Sequence, residues 1–200
     1  MAKPGRPYDC GVASLDSARE TLLAELREHA LVIGEVTLSS GETAQYYVDA
    51  KRALLRPAGF RAAGELIAAE AAERGAAAVG GMTMGADPLA TAAISATGGA
   101  ELVAFFVRKE RKEHGLQRWI EGPLLERGTP CLVVEDVVTT GGSTVKALER
   151  IRSEELGFAG VVAVVDRLAG GGEAIEAAAG GAPYRALVTI DELYPDRPDR

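Results

Sequence analysis

Two hundred residues are enough for one ordinary domain with a real core and no need of disulfide staples. Lys plus Arg total 22 against 29 Asp plus Glu, a net charge of −7, which argues against non-specific nucleic-acid binding through a basic surface. No apolar run approaches bilayer-spanning length, the first residues carry no signal-like apolar block, and Cys10 and Cys131 make neither a disulfide framework nor a zinc set. Both read as reduced cytosolic thiols. Aromatic residues are 5% while Gly is 24 and Ala 35, so the core must be built from small side chains packed close.

Residues 1–14 hold Pro4, Gly5, Pro7 and Gly11 without periodicity and read as a loose tail ahead of a domain spanning 15–200. From Asp16 to Ala30 the spacing predicts a helix, with Leu22, Leu23, Leu26 and Ala30 on one stripe and a capping box of Ser17 with Glu20. Residues 36–49 predict two short strands about a turn at Ser40-Gly41, a hairpin-like unit in a small N-terminal addition at about 15–55. Pro57 to Arg74 reads as a helix with Pro in its first turn. Strands follow at 76–81, 101–109, 130–136, 159–166 and 185–188, and helices at 86–97, 143–157 and 173–179. The stretch 110–127 is charged and carries no expected element.

Apolar strands alternating with helices imply an α/β domain with a mostly parallel sheet covered on both faces. Ligands in such sheets bind beyond the carboxyl ends of the strands, so function belongs in the loops after 80, 108, 135 and 165.

The segment PCLVVEDVVTTGGSTVKALE is the most informative. A buried strand runs into Glu135 and Asp136, and adjacent carboxylates there need partners. Thr139, Thr140, Gly141, Gly142, Ser143 and Thr144 then lead into a helix. Glycines let successive N–H groups converge, and the helix start adds unpaired donors, which makes a cradle for one monophosphate. The carboxylates suit the vicinal hydroxyls of a sugar. A ribose 5-phosphate fits both halves. A plain βα turn with a Ser or Thr cap accounts for one hydroxyl only. The chain has no GxxxxGK[ST] and no GxGxxG, so neither a triphosphate loop nor a dinucleotide fold is supported.

VVEDVVTTGGST resembles the phosphoribosyl-pyrophosphate motif of the type I phosphoribosyltransferases. TLSSGETAQYYVD (37–49), GMTMGADPLA (81–90), VRKERKEHG (107–115) and VVDR (164–167) narrow the resemblance to the family of orotate phosphoribosyltransferases. The resemblance implies a type I phosphoribosyltransferase fold with a small N-terminal hood. The implied activity joins orotate to 5-phospho-α-D-ribose 1-diphosphate (PRPP), giving orotidine 5′-phosphate and diphosphate in pyrimidine biosynthesis.

The implied PRPP-binding residues are Arg108, Lys109, Lys112, His114, Glu135, Asp136, Val137, Val138, Thr139, Thr140, Gly141, Gly142 and Ser143. Among these, Lys109, Lys112, His114 and Asp136 are the expected catalytic residues. Residues 108–118 carry a local excess of three positive charges in an acidic chain. They read as a basic lid that stabilises the departing diphosphate and excludes water. The resemblance places that lid in a neighbouring subunit's site, so a homodimer with composite sites is expected.

Gly80, Gly81 and Gly85 read as allowing close backbone approach to the diphosphate, with Asp87 nearby. Thr139, Arg167, Tyr46 and Tyr47 are the expected orotate contacts, Arg167 because a planar cation matches a carboxylate. Many relatives carry Lys where this chain has Ser39, a cation that Lys51 or Arg52 would have to replace. Mg²⁺ is expected on the diphosphate rather than in a protein cage, with no dedicated metal residues and only water-mediated contact from Asp136 or Asp87. No nucleic acid or membrane partner is expected, and the location is cytoplasmic. Competing readings are a phosphoribosyltransferase for another base, a non-enzymatic nucleic-acid regulator of this fold, and an unrelated sugar-phosphate binding module. The first need not keep the 107–115 segment and Arg167, the second conflicts with the acidic charge, and the third leaves 107–118 idle.

Overall fold

The computed structural model describes residues 12–37, 43–97, 101–110 and 118–200. The chain enters through α1 (Val12–Glu25), one π-helical turn (Leu26–Ala30), and the hairpin strands β1 (Leu31–Thr37) and β2 (Thr43–Val48). A short α2 (Lys51–Leu54) leads to α3 (Pro57–Glu73), β3 (Ala78–Met82) and α4 (Asp87–Ala96). There follow β4 (Val103–Val107), β5 (Ile120–Glu121), β6 (Pro130–Val138), α5 (Gly142–Ser153), β7 (Gly157–Asp166), α6 (Gly171–Ala178), β8 (Tyr184–Thr189) and α7 (Ile190–Leu193).

The main sheet has the order β5-β4-β3-β6-β7-β8, all parallel except β5. Side chains alternate across it. Leu132, Val134, Val162 and Val164 point into a core shared with α1, α3, α4 and the hairpin. Cys131, Val133, Val161 and Ala163 point into a second core under α5 and α6. That two-faced burial explains why these strands read as unbroken apolar runs. The abundance of small residues also has a direct use, because a Cβ on Gly64 of α3 would lie 2.5 Å from the Ala92 carbonyl of α4. Cys131 is a free, buried thiol whose pKa burial pushes up to about 12, which makes it inert.

Some expectations change. The first helix begins at Val12, inside the stretch 1–14 expected to be tail, so Ser17 lies within the helix and the expected Ser17–Glu20 capping box does not form. Instead the Ser17 carbonyl accepts from the Thr21 hydroxyl at 2.9 Å. The first hairpin strand starts at Leu31, five residues before the expected start. Three short elements went unseen. The helix α2 spans four residues, in β5 two residues pair with β4, and α7 is started by a complete capping box of Thr189 and Glu192. All three are too short for periodicity to register. Residues 1–11, which include Cys10, and the turn at Ser39, Ser40 and Gly41 lie outside the described residues.

Far from the ligand end, Glu70 is buried between Arg74, with N–O distances of 2.9 and 2.7 Å, and Arg185. This knot ties α3 to β8. Arg19 and Arg27 of the first helical segment reach Glu192 of α7, which ties the start of the domain to its last helix.

Candidate active site

The strand order reverses between β3 and β6, because the chain builds outward on one side through β4 and then returns to build through β7 and β8. A ligand crevice is expected at such a switch point, beyond the carboxyl ends of these strands. The loops that follow β3, β6 and β7 meet there.

Gly80 and Gly81 lie inside β3 and serve strand packing: a Cβ would meet the Phe105 carbonyl at 2.1 Å or the Val134 carbonyl at 2.2 Å. Gly85, in the turn after β3, does approach the crevice. A Cβ there would lie 2.5 Å from Asp136 Oδ1. At the start of α4, Asp87 accepts from the Thr83 hydroxyl at 2.5 Å through one oxygen, while Oδ1 is buried without a partner.

The carboxyl groups of Glu135 and Asp136 lie close together, both beside Gly85, yet each has its own further partners. Asp136 Oδ2 accepts from Lys51 Nζ at 2.9 Å, and Oδ1 accepts from the Val137 N–H at 2.9 Å. Lys51 also pairs with Asp49 at 3.3 Å. Burial alone would lower the Lys51 pKa, but the hydrogen bond and charge of Asp136, with help from Asp49, carry it up to about 12. Of the two cations weighed for the place of the missing Lys, Lys51 is at the crevice, and Arg52 is exposed.

Glu135 turns toward α5. Its Oε2 accepts from the Ser143 hydroxyl at 2.5 Å and the Thr144 hydroxyl at 2.9 Å. Burial raises its pKa to about 7; the Ser143 and Thr144 hydroxyls oppose the rise and neighbouring Asp136 adds to it. The Glu135 carboxylate therefore holds the start of α5 from below.

That helix start is open. Gly141 sits at φ +78°, and no side chain caps the helix. Residues 137–144 line a cavity of about 180 Å³. Thr139 is half-buried and Thr140 exposed on its rim, Val138 is buried beneath it, and the first-turn N–H groups open into it. The plain turn with a Ser or Thr cap is not what the structure has, and the uncapped helix start beside this cavity is the place where an anion cradle was expected.

Beside the cradle the Arg167 N–H donates to the Val138 carbonyl at 2.8 Å. Asp166, buried, fixes the same turn by accepting from the Leu168 N–H at 2.7 Å and the Tyr184 hydroxyl at 2.9 Å. The Arg167 guanidinium lies over the Tyr46 ring at 5.1 Å and donates to its hydroxyl at 3.3 Å. Its Nε is buried without a partner, and among the described residues no carboxylate pairs with it. Tyr46 is buried, packs edge-on against Tyr194 at 5.5 Å, and donates to Asp199 at 2.9 Å. Tyr47 is on the opposite side of β2 and 39% exposed.

The basic segment is described at its two ends. Arg108 pairs with Glu121 at 3.0 Å, so its charge is already matched. Lys109 is exposed. The expected Lys112 and His114 lie outside the described residues. Sequence reasoning missed Arg150, whose guanidinium reaches the Arg108 carbonyl, and the anchoring role of Asp166, for which the VVDR run was a usable signal. A larger cavity of about 610 Å³ lies away from these residues, between α1, α3 and α4.

An anion cradle, a carboxylate beside it and a mostly parallel sheet with an N-terminal hood define a type I phosphoribosyltransferase fold. The phosphoribosyl transferase domain family matches residues 51–179, and the chain belongs to that family. Within it the chain belongs with the orotate phosphoribosyltransferases. The enzyme of that name from Corynebacterium glutamicum is 48% identical over 176 residues, 88% of this chain and 94% of its own. The crystal structure of Mycobacterium tuberculosis orotate phosphoribosyltransferase in complex with Fe(III) dicitrate superposes with a TM-score of 0.79 at 42% identity, covering 88% of this chain and 99% of that one. The same enzyme in complex with PRPP gives a TM-score of 0.74 at 38% identity, covering 88% and 98%.

Proposed function

We propose that this chain transfers the 5-phosphoribosyl group from PRPP to orotate, giving orotidine 5′-phosphate and diphosphate for de novo pyrimidine biosynthesis. The observation that carries the choice of acceptor is Arg167. It is a partly buried cation without an acidic partner among the described residues, held over Tyr46 and hydrogen-bonded through its backbone to the cradle strand. A planar guanidinium in that state suits a planar base bearing a carboxylate. Thr139, which lines the cradle cavity, is in this reading a further contact to the base.

The cradle of residues 137–144 holds the 5-phosphate and Asp136 takes the ribose hydroxyls. Backbone around Gly85 flanks the diphosphate. The C1–O bond to diphosphate breaks and its electron pair leaves with diphosphate, while orotate N1 bonds to C1 from the other side and gives up its proton to the departing diphosphate or to water. The orotate carboxylate is the anionic handle, and the protein mainly positions N1 and stabilises charge. In this reading Lys109, Lys112 and His114 face the diphosphate, a role that rests on family resemblance.

The residues also suit Mg²⁺. Among the described residues no cluster of three or more His, Cys, Asp or Glu forms a cage. The orphaned Asp87 Oδ1, and Asp136 beside Gly85, suit an ion that keeps its waters. When bound, Mg²⁺ neutralises charge on the diphosphate. We further propose a homodimer with composite sites and a cytoplasmic location. The family resemblance supports the first. For the second, no helix among the described residues is long and apolar enough to cross a membrane.

Comparing orotate, uracil and hypoxanthine as acceptors tests the reading. Product with orotate alone is expected; preference for either other base overturns it.

A further inference from the structure

The two described ends of the basic segment are held by one side chain that has no part in the chemistry above. Arg150, on the third turn of α5, donates through Nη1 to the Arg108 carbonyl at 2.7 Å and through Nη2 to the Lys109 carbonyl at 2.9 Å. The same guanidinium lies over the Trp119 ring, 4.4 Å from its centre. One planar fork thus joins consecutive carbonyls on the outgoing end to the aromatic ring on the returning end. Only Arg has donors at that spacing together with a flat face for stacking. Two backbone contacts complete the junction. The Arg108 N–H donates to the Trp119 carbonyl at 2.9 Å, and the Trp119 N–H donates to Glu154 at 2.9 Å. Nη1 also lies 3.2 Å from the Met82 sulfur, and among the described residues no acid pairs with Arg150, so its side chain is committed to carbonyls, sulfur and ring.

The position on α5 matters. The start of this helix is the anion cradle, and Arg150 lies eight residues along it, about 12 Å at helical rise. A hydrogen-bonded helix of that length is a rigid strut. Lys109, which is expected to act on the diphosphate, therefore takes its backbone position from the same element that seats the 5-phosphate.

We infer that Arg150 is a positioning residue for the transfer reaction, clamping the Arg108–Lys109 and Trp119 ends of the basic segment to the helix that bears the phosphate cradle. The inference rests on the transferase reading above. Arg150 touches neither ribose nor base. Its loss should leave ground-state binding near normal while reducing the transition-state contact made by the cations it positions.

The test compares wild type, Arg150→Met and Arg150→Lys in the full chain. Steady-state kinetics, thermal unfolding and NMR exchange of the Arg108 amide are measured. Arg150→Met is expected to lower kcat by about tenfold or more with both KM values within about threefold. The Arg108 amide should exchange about tenfold faster or more, with β6 and β7 protection unchanged. Arg150→Lys, which can reach one carbonyl but not both, should fall between. A kcat within about twofold of wild type, or an unchanged Arg108 amide, overturns the inference. So does a kcat loss accompanied by faster exchange throughout β6 and β7, which marks a general folding defect. Should Arg150→Met fail to fold, Trp119→Leu removes the stacked ring and is judged by the same criteria. If the wild type itself releases no diphosphate with orotate, the transferase reading fails, and the exchange of the Arg108 amide still decides the clamp.

Discussion

Lys51 and Asp136 meet across 2.9 Å, joining the short helix after the N-terminal hairpin to the strand that carries the phosphate cradle. The pair is only partly shielded, with the Lys51 side chain 40% exposed and that of Asp136 11%. Lys51 is thus within reach of any anion seated beside Asp136. Asp136→Asn keeps the shape and removes the charge. PRPP affinity measured by calorimetry should fall by about tenfold, the scale of losing a charge-assisted hydrogen bond. Unchanged affinity would refute the role given to Asp136.

Arg167→Lys keeps a positive charge but loses the planar fork and the stacking on Tyr46. The KM for orotate should rise by about tenfold while the KM for PRPP stays within about twofold. Steady-state kinetics with each substrate varied separates the two. Equal changes in both would place Arg167 outside the base pocket.

The two adjacent tyrosines should behave differently. Tyr46→Phe keeps the buried ring and removes the hydroxyl between Arg167 and Asp199, so the orotate KM should rise by about threefold, as expected for one neutral hydrogen bond. Tyr47→Phe should be close to neutral because that ring faces the other side of the strand. The reverse order of effects would mean that Tyr47 faces the base.

Glu135 gives a pH signature. Burial raises its pKa from the ordinary 4.5 to about 7. Folding thus favours the protonated form. Its contribution is fully present below pH 4.5 and is lost as the pH rises through about 7. Wild-type stability should therefore decline between pH 5 and pH 8 more than that of Glu135→Gln. Thermal melts of both proteins at the two pH values check this, and parallel declines would contradict it.

The parallel sheet was legible because strands buried on both faces are continuous apolar runs, as Cys131–Val134 and Val161–Val165 are. The cradle was legible because Gly141, Gly142 and the hydroxyl residues sit together in sequence. What is assembled from distant parts was less legible. Lys51 is 85 residues from Asp136 and was one of two open alternatives. Arg150 gives no signal at all, since a basic residue in the last turn of a helix reads as solvated surface. Gly80 and Gly81 were misread because a glycine needed for strand packing looks the same in sequence as one needed for a ligand. Glu135 and Asp136 read as one pair, and their carboxyl groups do lie together, but their further partners, the α5 hydroxyls for one and Lys51 for the other, come from parts of the chain that the pair itself does not announce.

Diphosphate release from PRPP tests the central claim most directly, measured with Mg²⁺ and with or without orotate. Release that requires orotate, and that yields orotidine 5′-phosphate in equal amount, is the predicted result. No release, or release at the same rate without orotate, would contradict it.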